Sequence, residues 1–233
     1  MDDSSLTNYC EQSDNVTQRG MGEQILEEML SSSETGQLTG EDKRHARELQ
    51  GYNYDTIMGL LGKTSELMRW YREVADEYMK SNTEMSWVLP DGFRVIQNIP
   101  KTTTKQLMLE RKKVFINYRV PTKTHDRRRN LYAFSPNVTH SMDATHLAMV
   151  LRRLPEDVPF VAIHDSYGMP APYVARHEEL IVHTFADLYE SFDIREAIVR
   201  DYEQKFKRAP AAQPPELGVL TMDDVRGATY AFA

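Results

Sequence analysis

The chain has 233 residues, of which 40% are hydrophobic and 27% charged, with a formal net charge of −7 and a single cysteine, Cys10. That length and apolar fraction suffice for a sizeable core; one cysteine excludes an internal disulfide framework and suits a reducing compartment. No apolar stretch approaches the roughly 20 residues of a membrane span, and Met1-Asp2-Asp3-Ser4-Ser5 has no basic region followed by an apolar one, so neither a membrane helix nor export is expected.

Taken in chain order, Met21 to Leu30 has apolar residues at helical spacing, Ser31 to Gly40 is rich in turn residues, and Glu41 to Leu49 reads as a polar helix. The longest periodic run is Tyr52 to Met79, where Ile57, Leu60, Leu61, Leu67, Met68, Tyr71, Val74, Ala75 and Tyr78 recur every three or four residues and predict one long helix. Methionines in these stretches are expected to fill core gaps. Val88-Leu89-Pro90-Asp91-Gly92-Phe93-Arg94-Val95 then reads as strand, turn, strand.

Two β-prone runs follow, Gln106 to Leu109 and Val114 to Val120, separated by Glu110-Arg111-Lys112-Lys113, which predicts a protruding β-ribbon with a basic tip. From Lys101 to Arg129 there are ten basic residues against two acidic ones, in a chain that is acidic as a whole. One basic strip on an acidic body is the charge pattern of a protein that takes nucleic acid on one face. Arg111, Lys112, Lys113 and Lys105 are candidate contacts, and Arg127, Arg128 and Arg129, expected in a loop, suit phosphates better than bases. A solvated charge run on an ordinary edge hairpin also fits.

Ser135 to Leu147 is polar and helical, and Phe160-Val161-Ala162-Ile163 is a β-branched run expected to be a buried strand that ends at His164-Asp165-Ser166-Tyr167. A carboxylate at a strand tip can hold a hard cation such as Mg²⁺, which binds through one or two carboxylates plus phosphates and water. Alone, the pair equally fits a polar strand end with a turn-favouring aspartate. Tyr173 to Tyr189 and Ile194 to Phe206 read as helices, Pro210 to Pro215 as a linker, and Leu217 to Ala233 as a return to the body. His140 and His146 are six residues apart and do not form an i, i+4 zinc pair; His177 and His183 are expected at the surface.

Pro136-Asn137, His140-Ser141, Asp143 and His146-Leu147, followed by His164-Asp165-Ser166, resemble the single-subunit RNA polymerases of bacteriophages and mitochondria. Val88-Leu89-Pro90-Asp91-Gly92-Phe93 is similar to their Thr-Pro-Asp-Gly-Phe turn, and Tyr230-Ala231-Phe232-Ala233 to their aromatic C-terminus. The likeness runs from about residue 20 to 233 but covers only the C-terminal part of such a polymerase.

The resemblance implies an α+β fold, a right-hand polymerase palm and fingers portion with a small antiparallel sheet, a protruding β-ribbon and many helices. The implied division is fingers helices 1–83, palm strands with the ribbon 84–134, palm with the catalytic hairpin 135–209, and linker and tail 210–233. It implies that Asp165 is a catalytic Mg²⁺ ligand with His164 beside it, that the ribbon is a specificity loop for the promoter major groove, and that His140 approaches the template–product duplex. Asp143 and His146 would orient it or cap the helix.

The family's first catalytic aspartate and its nucleotide-gripping lysine are not found. Leu6-Thr7-Asn8-Tyr9-Cys10 is similar to a degenerate end of that nucleotide-binding motif, with Tyr9 as the nucleotide-discriminating tyrosine, although the spacing is a residue short. The resemblance therefore implies a DNA-directed RNA polymerase subunit of a split, podovirus-type enzyme, working in the infected bacterial cytoplasm. A second subunit would carry the N-terminal part, and template DNA, NTPs and the RNA product would be its other partners. Met1 and the polar residues after it favour a natural split over a fragment. The alternatives are a non-catalytic DNA-binding accessory subunit with a palm fold and a fragment of a family A DNA polymerase, where a Glu commonly follows the aspartate in place of Ser166. A hydrolase built on His164 and Asp165 lacks a nucleophile motif.

Overall fold

Thr39 shows how local chemistry sets the boundaries of this fold: its hydroxyl accepts from the Asp42 amide while the Asp42 carboxylate accepts from the Thr39 amide at 2.8 Å, a reciprocal cap that starts a helix at Gly40. The computed structural model describes residues 18–33, 36–109, 114–163 and 166–228. They fall into two compact units, residues 1–70 and 71–233.

In the first unit, α1 (Gln18–Ser31) packs on α2 (Gly40–Leu60), burying Met21 and Ala46. Gly22 lies so close to the Gln50 side chain that a Cβ would overlap it. The expected Tyr52–Met79 helix is two helices: α2 runs through Gly51 and Gly59 to Leu60, and α3 (Lys63–Lys80) restarts after Gly62, whose φ of +43° lies in the left-handed region that ends a helix. The polar stretch from Glu41 and the start of the apolar run are thus one element. Periodicity fixed the faces but could not show which glycine stops the helix.

In the second unit the later turns of α3 bury Tyr71, Val74, Ala75, Tyr78 and Met79. The helix ends at Asn82 with φ 48°, an asparagine stop, and the next strands form an antiparallel hairpin of β1 (Met85–Val88) and β2 (Arg94–Gln97). Its turn follows the sequence reading. Gly92 has φ +85°, its amide donates to Leu89, and the Asp91 carboxylate accepts from the Phe93 amide at 3.0 Å. The inner face presents Trp87, edge-on to Phe134 at 5.5 Å and donating through Nε1 to Ser141 Oγ at 2.9 Å.

The ribbon is longer than predicted: β3 (Pro100–Leu109) and β4 (Val114–His125) pair antiparallel from Pro100 with His125 to Leu109 with Val114. It is a separate two-stranded sheet, as are β1–β2 and the short hairpin of β5 (Val161–Ile163) and β6 (Ser166–Gly168). Between them runs α4 (Arg127–Arg153), capped by Asp126, which accepts from the Arg129 amide at 3.0 Å. The arginine triplet Arg127-Arg128-Arg129 is therefore the first turn of a helix and not a loop. Pro136 does not open that helix but lies inside it, and Asp143 and His146 are mid-helix, so neither caps it.

A short 3₁₀ turn (Ala171–Tyr173) leads into α5 (Val174–Ser191) and α6 (Ile194–Phe206), close to the expected spans, and α7 (Met222–Arg226) returns to pack on α5. Arg226 makes that return: it bonds both Glu190 oxygens, at 2.7 and 2.6 Å, and Asp187 at 3.0 Å. Tyr78 meets Tyr202 and Phe206 edge-on, forming an aromatic cluster between α3 and α6. The expected buried strand is exposed: Val161 and Ile163 stand 58% and 65% open among the described residues. A β-branched run specifies extended backbone, and what covers that strand is set elsewhere. His177 is likewise corrected, being 3% exposed with Nδ1–H donating to the Tyr173 carbonyl at 2.6 Å.

Candidate active-site hairpin and nucleic-acid interface

Three pieces of the second unit carry the residues singled out by sequence other than Tyr9: the β5–β6 hairpin, the ribbon and α4. In the hairpin Val161 pairs with Gly168, Ala162 with Tyr167 and Ile163 with Ser166. The two residues between the strands, His164 and Asp165, lie outside the described residues, as do Tyr9 and the ribbon-tip Arg111, Lys112 and Lys113. The flanking geometry is ordered by side chains from α4 and α5. His146, 5% exposed, stands within 3.0 Å of the Ile181 carbonyl through Nε2 and 3.4 Å of the Tyr167 hydroxyl through Nδ1. Burial pushes this imidazole below the usual histidine range and keeps it neutral at pH 7. Phe185 packs edge-on against its ring at 5.5 Å, and Phe160 lies 5.7 Å from Tyr167.

The ribbon has two unlike faces because side chains alternate along each strand. Lys105 pairs with Tyr118, and that face carries the exposed Leu107 and Tyr118; the other face carries Thr104 opposite Arg119 and Gln106 opposite Asn117, with the two amide side chains bonded at 3.3 Å. Lys101, Lys105, Arg119 and Lys123 are all exposed. Sequence reasoning counted the charges and did not separate the faces, which required the register.

The ribbon's base is fixed by polar side chains that no periodicity marks. Asn82 accepts from the His125 amide at 2.8 Å and donates to the Lys123 carbonyl at 3.4 Å. Buried Asn130 on α4 donates to the carbonyls of Ile99 and Asp126, each at 2.8 Å, and accepts from the Ile99 amide at 3.2 Å. Gln97 donates to the Asn130 carbonyl at 2.7 Å and accepts from Asn137 at 2.9 Å. Buried polar groups in such a closed set specify one arrangement.

Of the arginines at the start of α4, Arg127 bonds Asp76 through Nε at 2.6 Å and Arg128 stacks over Tyr132 at 5.8 Å. Burial alone would raise the Asp76 carboxyl, but Lys80 and Arg127 outweigh it and hold it below its usual value. Arg127 is thus partly committed within the chain. His140 is exposed on α4, six residues before His146. Among the described residues no group of three or more His, Cys, Asp or Glu side chains could hold a metal ion, and no helix is long and apolar enough to cross a membrane.

The family pattern described as DNA-dependent RNA polymerase matches residues 12–230. Similar proteins include the DNA-directed RNA polymerase of Pseudomonas phage phiKMV, 28% identical over 71% of this chain and 20% of its own length. The mitochondrial DNA-directed RNA polymerase 1 of Nicotiana sylvestris is 27% identical over 78% of this chain and 18% of its own length, and the mitochondrial enzyme of Schizosaccharomyces pombe 26% over 82% and 18%. The chain spans about a fifth of the length of these relatives.

Proposed function

Because the chain belongs to the DNA-dependent RNA polymerase family, we propose that it is the C-terminal palm portion of a two-metal nucleotidyltransferase whose remaining parts come from a second polypeptide. The observation that carries this reading is the coincidence, on one unit, of two antiparallel strands flanking His164-Asp165 in sequence with a basic ribbon at the matching place in the chain order.

The partner requirement is supported by the hairpin itself. Three-residue strands with Val161 and Ile163 open to solvent are marginal in isolation and invite an apolar cover. In this reading the other catalytic aspartate and the triphosphate-binding lysine come from that second polypeptide.

In this mechanism Mg²⁺ ions would activate the RNA 3′-hydroxyl and stabilise the in-line displacement at the α-phosphate. Asp165 would supply one ligand, His164 would stand beside it, and Tyr9 would sense the nucleotide. The ribbon would enter the promoter major groove. Its Gln106, Asn117 and Arg119 face offers the amide and guanidinium groups suited to base edges, while Lys105 and the tip residues Arg111, Lys112 and Lys113 meet phosphates. Arg128 and, in part, Arg127 would add phosphate contacts at the ribbon's base, and His140 would face the template–product duplex. The working compartment is the cytoplasm of an infected bacterium.

Run-off transcription with Mg²⁺ and NTPs tests the proposal, using the chain co-purified with a polypeptide that carries the remainder of the polymerase. The wild-type pair is expected to make transcript and the Asp165→Ala pair to lose at least 10³-fold of its rate, an order set by removing a catalytic metal ligand. Equal activity in both would sink the catalytic reading and leave a DNA-binding accessory subunit, for which the exposed ribbon is the supporting observation.

A further inference from the structure

One buried imidazole joins three elements. His146 stands on α4 where α5 and β6 converge, and its two nitrogens address different elements. We propose that His146 is a positioning residue for the β5–β6 hairpin, holding Tyr167 and thereby fixing the course of the chain that leaves Asp165. The proposal rests on the reading of Asp165 as the metal ligand.

The Ile181 carbonyl can only accept, so Nε2 must carry the proton that bonds it at 3.0 Å. That fixes the tautomer and leaves the Nδ1 lone pair facing the Tyr167 hydroxyl at 3.4 Å, a long bond in which the hydroxyl donates. Ring contacts supplement it. His146 meets Tyr167 edge-on at 6.3 Å and Phe185 edge-on at 5.5 Å, while Phe160, the residue before β5, lies tilted against Tyr167 at 5.7 Å.

Tyr167, two positions beyond Asp165 in sequence, therefore contacts both a residue of α4 and one that enters the hairpin. The strands themselves have three residues each and cannot fix their own orientation. Groups that orient a metal ligand without touching the metal are known to change metal affinity and rate by about 10- to 100-fold.

Amide hydrogen exchange on the full chain reads the clasp without requiring activity. His146→Phe keeps a flat ring against Phe185 but has no donor or acceptor, and is expected to speed exchange at Val161–Ile163 and Ser166–Gly168 by about 10-fold. Tyr167→Phe should give about 3-fold, because it removes the longer bond alone. His146→Gln, which can both donate and accept, should return exchange toward wild type. Unchanged protection of 194–206 in α6 shows that the fold persists; if His146→Phe loses it, Tyr167→Phe decides.

In the assembled polymerase the His146→Phe variant is expected to need about 10-fold more Mg²⁺ for half-maximal rate, with the KM for NTPs unchanged. Wild-type exchange in both phenylalanine variants, or a glutamine variant as impaired as His146→Phe, would overturn the proposal. Retained transcription in Asp165→Ala would instead remove the catalytic reading and leave the exchange result to judge the clasp by itself.

Discussion

Asp201 is the residue on which the inside of the second unit converges. Its Oδ2 accepts from the Tyr78 hydroxyl at 2.8 Å and from Lys205 Nζ at 2.9 Å, its Oδ1 from the Ser86 hydroxyl, and Lys205 reaches on to the Glu84 carbonyl at 2.9 Å. Burial, then the neighbouring Asp201 charge, holds the Tyr78 hydroxyl protonated far above the usual tyrosine range. Removing the carboxylate leaves the Tyr78 phenol without this acceptor and the Lys205 ammonium without its ion-pair partner in a half-buried site, so Asp201→Ala should cost about 3 kcal/mol, and Asp201→Asn less because it keeps one acceptor oxygen. Urea unfolding of the full chain checks both; a loss under about 1 kcal/mol for alanine would show that water replaces the carboxylate. None of this was readable from the sequence. Asp201 sits in a charged helical stretch where it looks like a solvated acid, and only the docking of α6 against β1 turns it inward.

At the scale of elements, Gly51, Gly59 and Gly62 of the α2–α3 region divide by backbone conformation. Gly51 and Gly59 are helical with open space where a Cβ would stand, whereas Gly62 holds φ +43°. Gly51→Ala and Gly59→Ala should each stabilise by about 0.5–1 kcal/mol, and Gly62→Ala should destabilise by about 1 kcal/mol through left-handed strain. Thermal unfolding followed by helical circular dichroism separates the two signs; a stabilising Gly62→Ala would mean that α2 and α3 can fuse. The same glycines explain what was legible here. The existence, type and inner face of the helices followed from three-and-four spacing, and the Asp91-Gly92 turn followed from its residues. The break at Gly62 and the helical start at Arg127 did not, because one depends on which glycine takes positive φ and the other on Asp126 winning the cap.

For the whole molecule, charge distribution makes the sharpest claim. The exposed Lys105 and Arg119 lie on opposite faces of the ribbon, within a basic strip on an acidic chain. Lys105→Gln should lower the slope of log K against log salt for duplex DNA by about 0.9 if it meets one phosphate, while Arg200→Gln on α6 should leave it unchanged. Fluorescence anisotropy at several salt concentrations measures this, and equal slopes for the ribbon and α6 variants would mean that the ribbon does not touch the backbone. The family and the chain order of its landmarks were legible because short chemical motifs survive in sequence. The exposed state of the hairpin was not, since Val161 and Ile163 read as core until their surroundings are known. Helix α4 holds the ribbon's base through Asn130 and touches the hairpin through His146, about 24 Å further along one axis. In the function proposed above, that one helix would link the two ends: a tilt imposed by DNA on the ribbon would reach the hairpin through the same element, attenuated by whatever bend Pro136 allows.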